Sequence, residues 1–284
     1  MPRRARVILA TYDRPRLLRL ALRAWGRQTV LDIALTVADD GSGPETAACV
    51  AEMARGSPFP IEHVRHERRG FRKAAILNEA VRRAQGEPLL LFTDGDCAPP
   101  ATFLERHLDA HTTRSLAVGG AWMLSEEASA SLTCADVDAG RHERLGTLGQ
   151  RWKQLERAWK SHYGLWLRRS RRPKAGGANL GIDRALFEAV NGFDETFVGY
   201  GLEDSDLRDR VMASVPRPRV RILYGRNDTV HLWHPPSPTA GQGLNRAYYA
   251  TERPVRCLHG LVDERPASKR AGRSPAVPQG VASR

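Results

Sequence analysis

Apolar positions in the first hundred residues fall into short runs separated by stretches of helical spacing. Arg6-Val7-Ile8-Leu9-Ala10 reads as a strand ending at Thr11-Tyr12-Asp13-Arg14-Pro15, after which Leu17, Leu18, Ala21, Leu22 and Trp25 share one helical face. The alternation recurs. A strand over 33–38 runs into Asp39-Asp40-Gly41-Ser42-Gly43, and a helix follows from about Pro44 to Met53. A short strand near 61–64, a helix from about Lys73 to Ala84, and a buried-type strand over 89–93 then deliver Asp94-Gly95-Asp96. This order predicts an α/β fold with a Rossmann-like, mostly parallel sheet flanked by helices.

Ligands of such sheets bind beyond the carboxyl ends of the strands. Three polar clusters stand there: Thr11 to Arg14, Asp39-Asp40, and Asp94 to Asp96. They are predicted to converge on one crevice. The second half is less regular, with a basic aromatic helix at about 150–168, a glycine turn at Gly176-Gly177, and a helix near Arg184 to Val190. An acidic segment at 203–206 and a strand toward His231 complete it, and no internal repeat occurs. From Arg265 onward Pro, Ser, Gly and Arg dominate without apolar periodicity, which predicts a disordered basic tail over 265–284.

Composition narrows the class. The 284 residues are 41% hydrophobic with six Trp, enough for a real core, and the longest apolar run is only strand length. The opening ten residues hold too short an apolar stretch for a signal peptide, so a cytoplasmic protein is expected. Cys49, Cys97, Cys134 and Cys257 are scattered, with neither a CxxC pair nor a disulfide framework, and reduced thiols are expected. The net charge of +12 is uneven: residues 151–174 hold nine basic residues against Glu156 alone. Such charge favours anionic partners without choosing among them.

Four constellations carry candidate chemistry, each with a plain structural alternative. Asp94 and Asp96, one residue apart after an apolar strand, suit a hard divalent ion together with a ribose or sugar hydroxyl; a polar turn is the alternative. Asp39 and Asp40 suit a base or ribose, or cap the helix that follows. Glu203, Asp204 and Asp206 at a helix start are either dipole devices or include a general base for an acceptor hydroxyl. His231 and His234 are spaced for one metal, or are structural beside Pro235-Pro236.

Taken together, ATYDR, VADDGS, FRKAAILN, FTDGD, GGANLGIDRALFEAVNGFDETFVGYGLEDSD and HLWH resemble the family 2 glycosyltransferases of the GT-A fold. The C-terminal half is similar to the β-1,4-galactosyltransferases and bacterial chondroitin-type polymerases. The likeness spans roughly residues 5 to 240 and is most specific from Gly176 to Asp206. It implies a nucleotide-sugar-binding half over 1–120 and an acceptor-binding, catalytic half of the same domain over 121–260.

The resemblance also implies roles. Thr11, Arg14, Asp39, Asp40, Phe71, Lys73, Asp94 and Gly177 would bind the donor, Asp96 and His234 the metal, and His231 would join them. Asp204 would be the catalytic base with Glu203 its neighbour near the sugars, and Tyr200, Gly201 and Ser205 would meet the acceptor. Tyr200, Leu202 and Ser205 depart from the family's Trp, Gly and Asp, so the departures fall on the sugar and acceptor side. The activity implied is inverting, metal-dependent transfer, with Mn²⁺ ahead of Mg²⁺, from a nucleotide-diphosphate sugar (a UDP-sugar expected) to a carbohydrate, glycolipid or small-molecule acceptor.

Trp152, Leu155, Trp159, Tyr163 and Trp166 form one apolar stripe flanked by Arg and Lys. Either the stripe packs on the core, or it forms an acceptor-side lid or a peripheral membrane contact at the inner face of the membrane. Two further classes fit the sequence less well. A sugar nucleotidyltransferase would open with a glycine-rich phosphate loop, absent from Thr11-Tyr12-Asp13-Arg14. A basic nucleic-acid-binding protein would leave the ordered acids without purpose, and no nucleic acid is expected.

Overall fold

The computed structural model describes residues 4–169, 171–236, 243 and 245–266, so the tail expected over 265–284 lies outside the described residues from 267 onward. Strands β1 (Ala5–Thr11), β2 (Ile33–Asp39), β3 (Ile61–Arg65) and β4 (Leu89–Asp94) alternate with helices α1 (Pro15–Trp25), α2 (Pro44–Arg55) and α3 (Lys73–Arg83). There follow β5 (Cys97–Ala98), α4 (Phe103–Ala110), β6 (Ser115–Val118), β7 (Ala121–Met123), α5 (Glu126–Ser131), α6 (Cys134–Asp138), a 3-10 turn over Arg141–Arg144 and the long α7 (Leu148–Trp166). The chain closes with β8 (Leu180–Asp183), α8 (Arg184–Ala189), α9 (Glu203–Ala213), β9 (Arg219–Ile222), β10 (Thr229–His231) and α10 (Arg246–Ala250).

The central sheet runs β3-β2-β1-β4-β8-β6-β9. Its first four strands are parallel, β8 is antiparallel to both β4 and β6, and β9 returns parallel to β6. Alternate side chains of β1 enter different layers. Val7 and Leu9 pack with Leu18, Trp25, Cys49 and Phe103 of α1, α2 and α4. Ile8 packs with Ile76, Leu186, Leu207 and Val211 of α3, α8 and α9. A sheet covered on both faces explains why every residue of β2 is buried.

Arg6 is a charge inside that sandwich, fully buried yet paired with Glu87 at 2.7 Å and Glu62 at 2.9 Å. Unpaired, a buried guanidinium would cost several kcal/mol, on the order of 3–5.

A second, small sheet, β5-β10-β7, sits at the carboxyl ends of the main strands. Its ladder pairs His231 with Cys97, and the Leu232 N–H donates to the Asp96 carbonyl at 2.8 Å. These bonds bring a residue from near the end of the fold against the turn after β4.

Helix α7 differs from a core-packing helix. Its buried residues are Gln154, Ser161 and Gly164, while the aromatic stripe faces outward, so packing of that stripe on the core does not occur.

Candidate active site

The loops after β1, β2 and β4 surround a cavity of about 820 Å³, as the sequence pattern predicts. Thr11, Arg14, Asp40, Phe71, Lys73, Asp94, Asp96, Gly177, Tyr200, Gly201, Glu203, Asp204, His231 and His234 all line it. Asp39 and Ser205 do not. Asp39 is fully buried behind the wall, where it accepts from the Ser42 N–H at 2.7 Å and pairs with His63 Nε2 at 2.9 Å. It fixes the turn that aims Asp40. Asp40 in turn accepts from the Arg72 N–H at 2.7 Å and pairs with His66, anchoring the segment that carries Phe71 and Lys73. Phe71 meets Tyr200 edge-on, ring centroids 6.3 Å apart.

Charge organises the floor. Lys73, the first residue of α3, donates to Asp94, the last of β4, at 2.6 Å. Burial alone would lower the Lys73 pKa, but Asp94, Asp204 and Glu203 outweigh it and raise it well above the ordinary value. Lys73 is therefore a fixed cation among three acids. Gly177 lies between it and Asp204: a Cβ there would stand 2.6 Å from Lys73 Nζ and 3.1 Å from Asp204 Oδ2. Any side chain there would press on the Lys73 ammonium and the Asp204 carboxylate.

Asp204 accepts from the Gly177 N–H through Oδ2 at 2.7 Å, and its Oδ1 is buried with no hydrogen-bond partner among the described residues. Glu203 Oε2 is buried and unpartnered in the same way. Burial raises the Asp204 pKa against the pull of Lys73. Burial, then the charge of Asp204, pushes Glu203 up to about 7. Leu202 begins this helix in the left-handed region, φ +79°, a conformation that costs a non-glycine residue roughly 1 kcal/mol. Asp206, the third acid, is fully buried and turned away, held by Arg210 at 2.7 Å and Arg253 at 2.8 Å.

At the opposite wall Asp96 gathers three groups. Arg14 NH1 and His234 Nε2 each lie 3.0 Å from Oδ2, and His231 Nε2 lies 3.5 Å from Oδ1. Burial would raise the Asp96 pKa, but the His234 hydrogen bond and the charges of His231, His234 and Arg14 bring it down to about 2. The ligand atoms of Asp96, His231 and His234 lie within 4.8 Å of one another, and one carboxylate with two imidazoles suits a divalent transition ion. His234 Nδ1 faces the Pro235 carbonyl at 2.8 Å; a proton donated there would leave Nε2 as the lone-pair nitrogen toward Asp96. The Nδ1 of His231 is buried without a partner among the described residues. These residues fit such an ion.

Several lining residues escaped the sequence pattern. Gln150, Lys153, Gln154 and Arg157 of α7 enter the cavity, at a spacing of 3, 4 and 7 that the aromatic stripe overshadows. Asn179 lines it too, donating to the Gly120 and Asn227 carbonyls at 3.0 and 2.6 Å and bonded to His107 at 2.8 Å. Burial holds His107 down to about 4, hence neutral, and no spacing signal marks this network.

Two family models match the chain: Glycosyl transferase family 2 over residues 6–172, and N-terminal domain of galactosyltransferase over residues 161–230. Two curated relatives, both validoxylamine A glucosyltransferases, come from Streptomyces hygroscopicus subsp. jinggangensis (strain 5008) and subsp. limoneus. Each is 28% identical over 241 residues, which is 77% of this chain. The chain spans about half the length of these relatives, 54% and 50%. Among solved structures, the mannosyltransferase PcManGT from Pyrobaculum calidifontis, in complex with GDP-Man and Mn²⁺, superposes with a TM-score of 0.54 at 22% identity. That match covers 86% of this chain and 61% of the mannosyltransferase. A fragment of S. aureus TarS in complex with UDP-GlcNAc gives 0.57 at 14% identity, over 84% of this chain and 61% of the fragment.

Proposed function

The chain belongs to glycosyl transferase family 2 and is a glycosyltransferase of GT-A fold, and on that premise we propose that it carries a hexosyl group from a UDP-sugar to an acceptor hydroxyl, with inversion and with a divalent ion at the diphosphate. The observation that carries this reading is the placement of Asp204. One carboxylate oxygen is fixed by the Gly177 amide, and the other is buried, unpartnered and on the cavity wall. A carboxylate held this way, with its pKa raised by burial, is poised to take a proton.

In this reading the acceptor oxygen attacks the anomeric carbon while the bond from that carbon to the diphosphate oxygen breaks. The hydroxyl proton passes to Asp204 Oδ1, and the nucleoside diphosphate leaves with the bonding pair. Attack opposite the leaving group inverts the centre. Lys73 holds Asp94 beside the donor sugar and adds positive charge near the phosphates; Asp40 and Phe71 line the nucleoside end, and Tyr200 the sugar end. Asp96, His231 and His234 would hold the divalent ion, which when bound neutralises charge on the departing diphosphate. Support for the UDP donor comes from the galactosyltransferase-like segment over 161–230 and from the TarS complex with UDP-GlcNAc. The validoxylamine A glucosyltransferases support a small-molecule hydroxyl among the acceptor classes, beside carbohydrate and glycolipid.

A thermal-shift and turnover panel of UDP-, GDP- and dTDP-sugars with Mn²⁺ tests the donor half. UDP-sugars are expected to raise the midpoint, and His234→Ala to remove the Mn²⁺-dependent part of that rise. Asp204→Asn is expected to keep the rise and to lose transfer by on the order of 10²-fold or more. Full transfer by Asp204→Asn would remove the base from the scheme; a rise with GDP-sugars alone would overturn the donor.

A further inference from the structure

Helix α7 wears its apolar side outward. Leu148, Trp152, Leu155, Trp159, Tyr163 and Trp166 are 85, 73, 51, 67, 43 and 76% exposed, and they fall within an arc of about 80° on the helix. The rings cover one another in part: Trp159 stacks flat on Tyr163 at 5.6 Å, Tyr163 meets Trp166 at 5.9 Å, and the Arg169 guanidinium lies 5.8 Å from the Tyr163 centroid. The opposite side of the helix is polar and occupied. Gln154 donates to the Ala121 carbonyl at 2.8 Å, Gln150 to the Met123 carbonyl at 2.6 Å, and Lys153 and Arg157 line the cavity. Orientation is thus fixed from within, and an apolar stripe about five turns long is left in water, where contiguous aromatic area is unfavourable.

The charge around the stripe indicates what covers it. Of the nine basic residues over 151–174, Lys153, Arg157 and Lys174 line the cavity. Outside it stand Arg151, Lys160, Arg168, Arg169, Arg171 and Arg172 against one acid, Glu156, which is paired with Lys160. From Arg157 to Asp183 the sequence has no other acid. A second copy of the chain laid on this face would press cation against cation in a low-dielectric contact. An anionic lipid surface removes both difficulties. Trp and Tyr prefer the headgroup region, where an apolar ring and a polar N–H or O–H are both satisfied, and the flanking Arg and Lys meet phosphate there.

We propose that α7 docks the protein on an anionic lipid surface, lying flat with its aromatic stripe among the headgroups. No helix among the described residues is long and apolar enough to cross a membrane, so the contact is made in the plane of the interface. The two sides of α7 then have separate tasks: the inner one lines the cavity and the outer one rests on lipid.

Flotation of the full chain with vesicles of phosphatidylcholine, alone or with roughly one-third phosphatidylglycerol, tests this without reference to donor or acceptor. The wild type is expected to float with the anionic vesicles and not the neutral ones, with a blue shift of tryptophan fluorescence. The variant Trp152→Ser/Trp159→Ser/Trp166→Ser, its circular dichroism unchanged, is expected to lose partitioning by about tenfold or more. Equal flotation of variant and wild type would mean that diffuse positive charge does the binding, and would overturn the proposal. So would failure of the wild type to float, or a wild-type dimer seen by light scattering that the variant abolishes.

Discussion

Glu203 and Asp204 occupy the first turn of α9, and burial raises the pKa of both, Glu203 to about 7. The sign of the stability effect follows directly. As pH rises from about 4.5 to about 7, the unfolded chain gives up the Glu203 proton while the folded chain keeps it, so stability falls across that window. Glu203→Gln removes the effect. Urea titrations should show the variant gaining on the wild type by up to roughly 3 kcal/mol at pH 8 and by almost nothing at pH 4.5. Parallel pH profiles for the two proteins would show that Glu203 carries no such shift. At this scale most of the site residues expected from sequence do line the cavity, because acids after apolar strands announce themselves. Asp39 was not separable from Asp40, since only the hydrogen bonds to Ser42 and His63 reveal which of two adjacent carboxylates points inward. Lys153 and Arg157 were hidden because a polar helix side that lines an open cavity looks like a solvent face, whereas apolar periodicity marks only the aromatic one.

The elements that present these residues are held by buried polar contacts. In α9 the Asp206 carboxylate, fully buried, binds Arg210 and Arg253, and Arg210 donates onward to the Val190 and Gly192 carbonyls at 2.7 and 2.8 Å. This cluster ties the helix carrying Asp204 to the turn after α8. Asp206→Ala should leave two guanidinium groups unbalanced and cost about 3–5 kcal/mol of unfolding free energy, measured by urea titration. A loss under 1 kcal/mol would show the cluster to be solvated and dispensable. Three acids at a helix start are plain in the sequence, but that the third serves packing is not. About half a turn separates the inward-facing Asp206 from Asp204, and only the partners tell them apart.

Across the whole molecule, the parallel strands β1 to β4 and their helices were readable because each strand is five to seven residues long and its partner helix has a clean face. Of the completing strands only β10, the strand expected toward His231, was readable. β6, β7 and β9 are three or four residues long, below the length at which alternation can be told from chance, and β8 is interrupted by Gly181. Yet those short strands place His231 beside Asp96 and the Gly176-Gly177 loop over Lys73, so they assemble the part of the site that long-range pairing alone can build. What this assembled cavity does to a sugar at its anomeric carbon therefore decides the mechanism. Water can serve as acceptor, so the most direct measurement is proton NMR of the sugar first released from an α-linked UDP-hexose in the presence of Mn²⁺. The account predicts that the β-anomer appears first with the wild type and that release is lost with Asp204→Asn; an α-anomer appearing first, or undiminished release from Asp204→Asn, would contradict it.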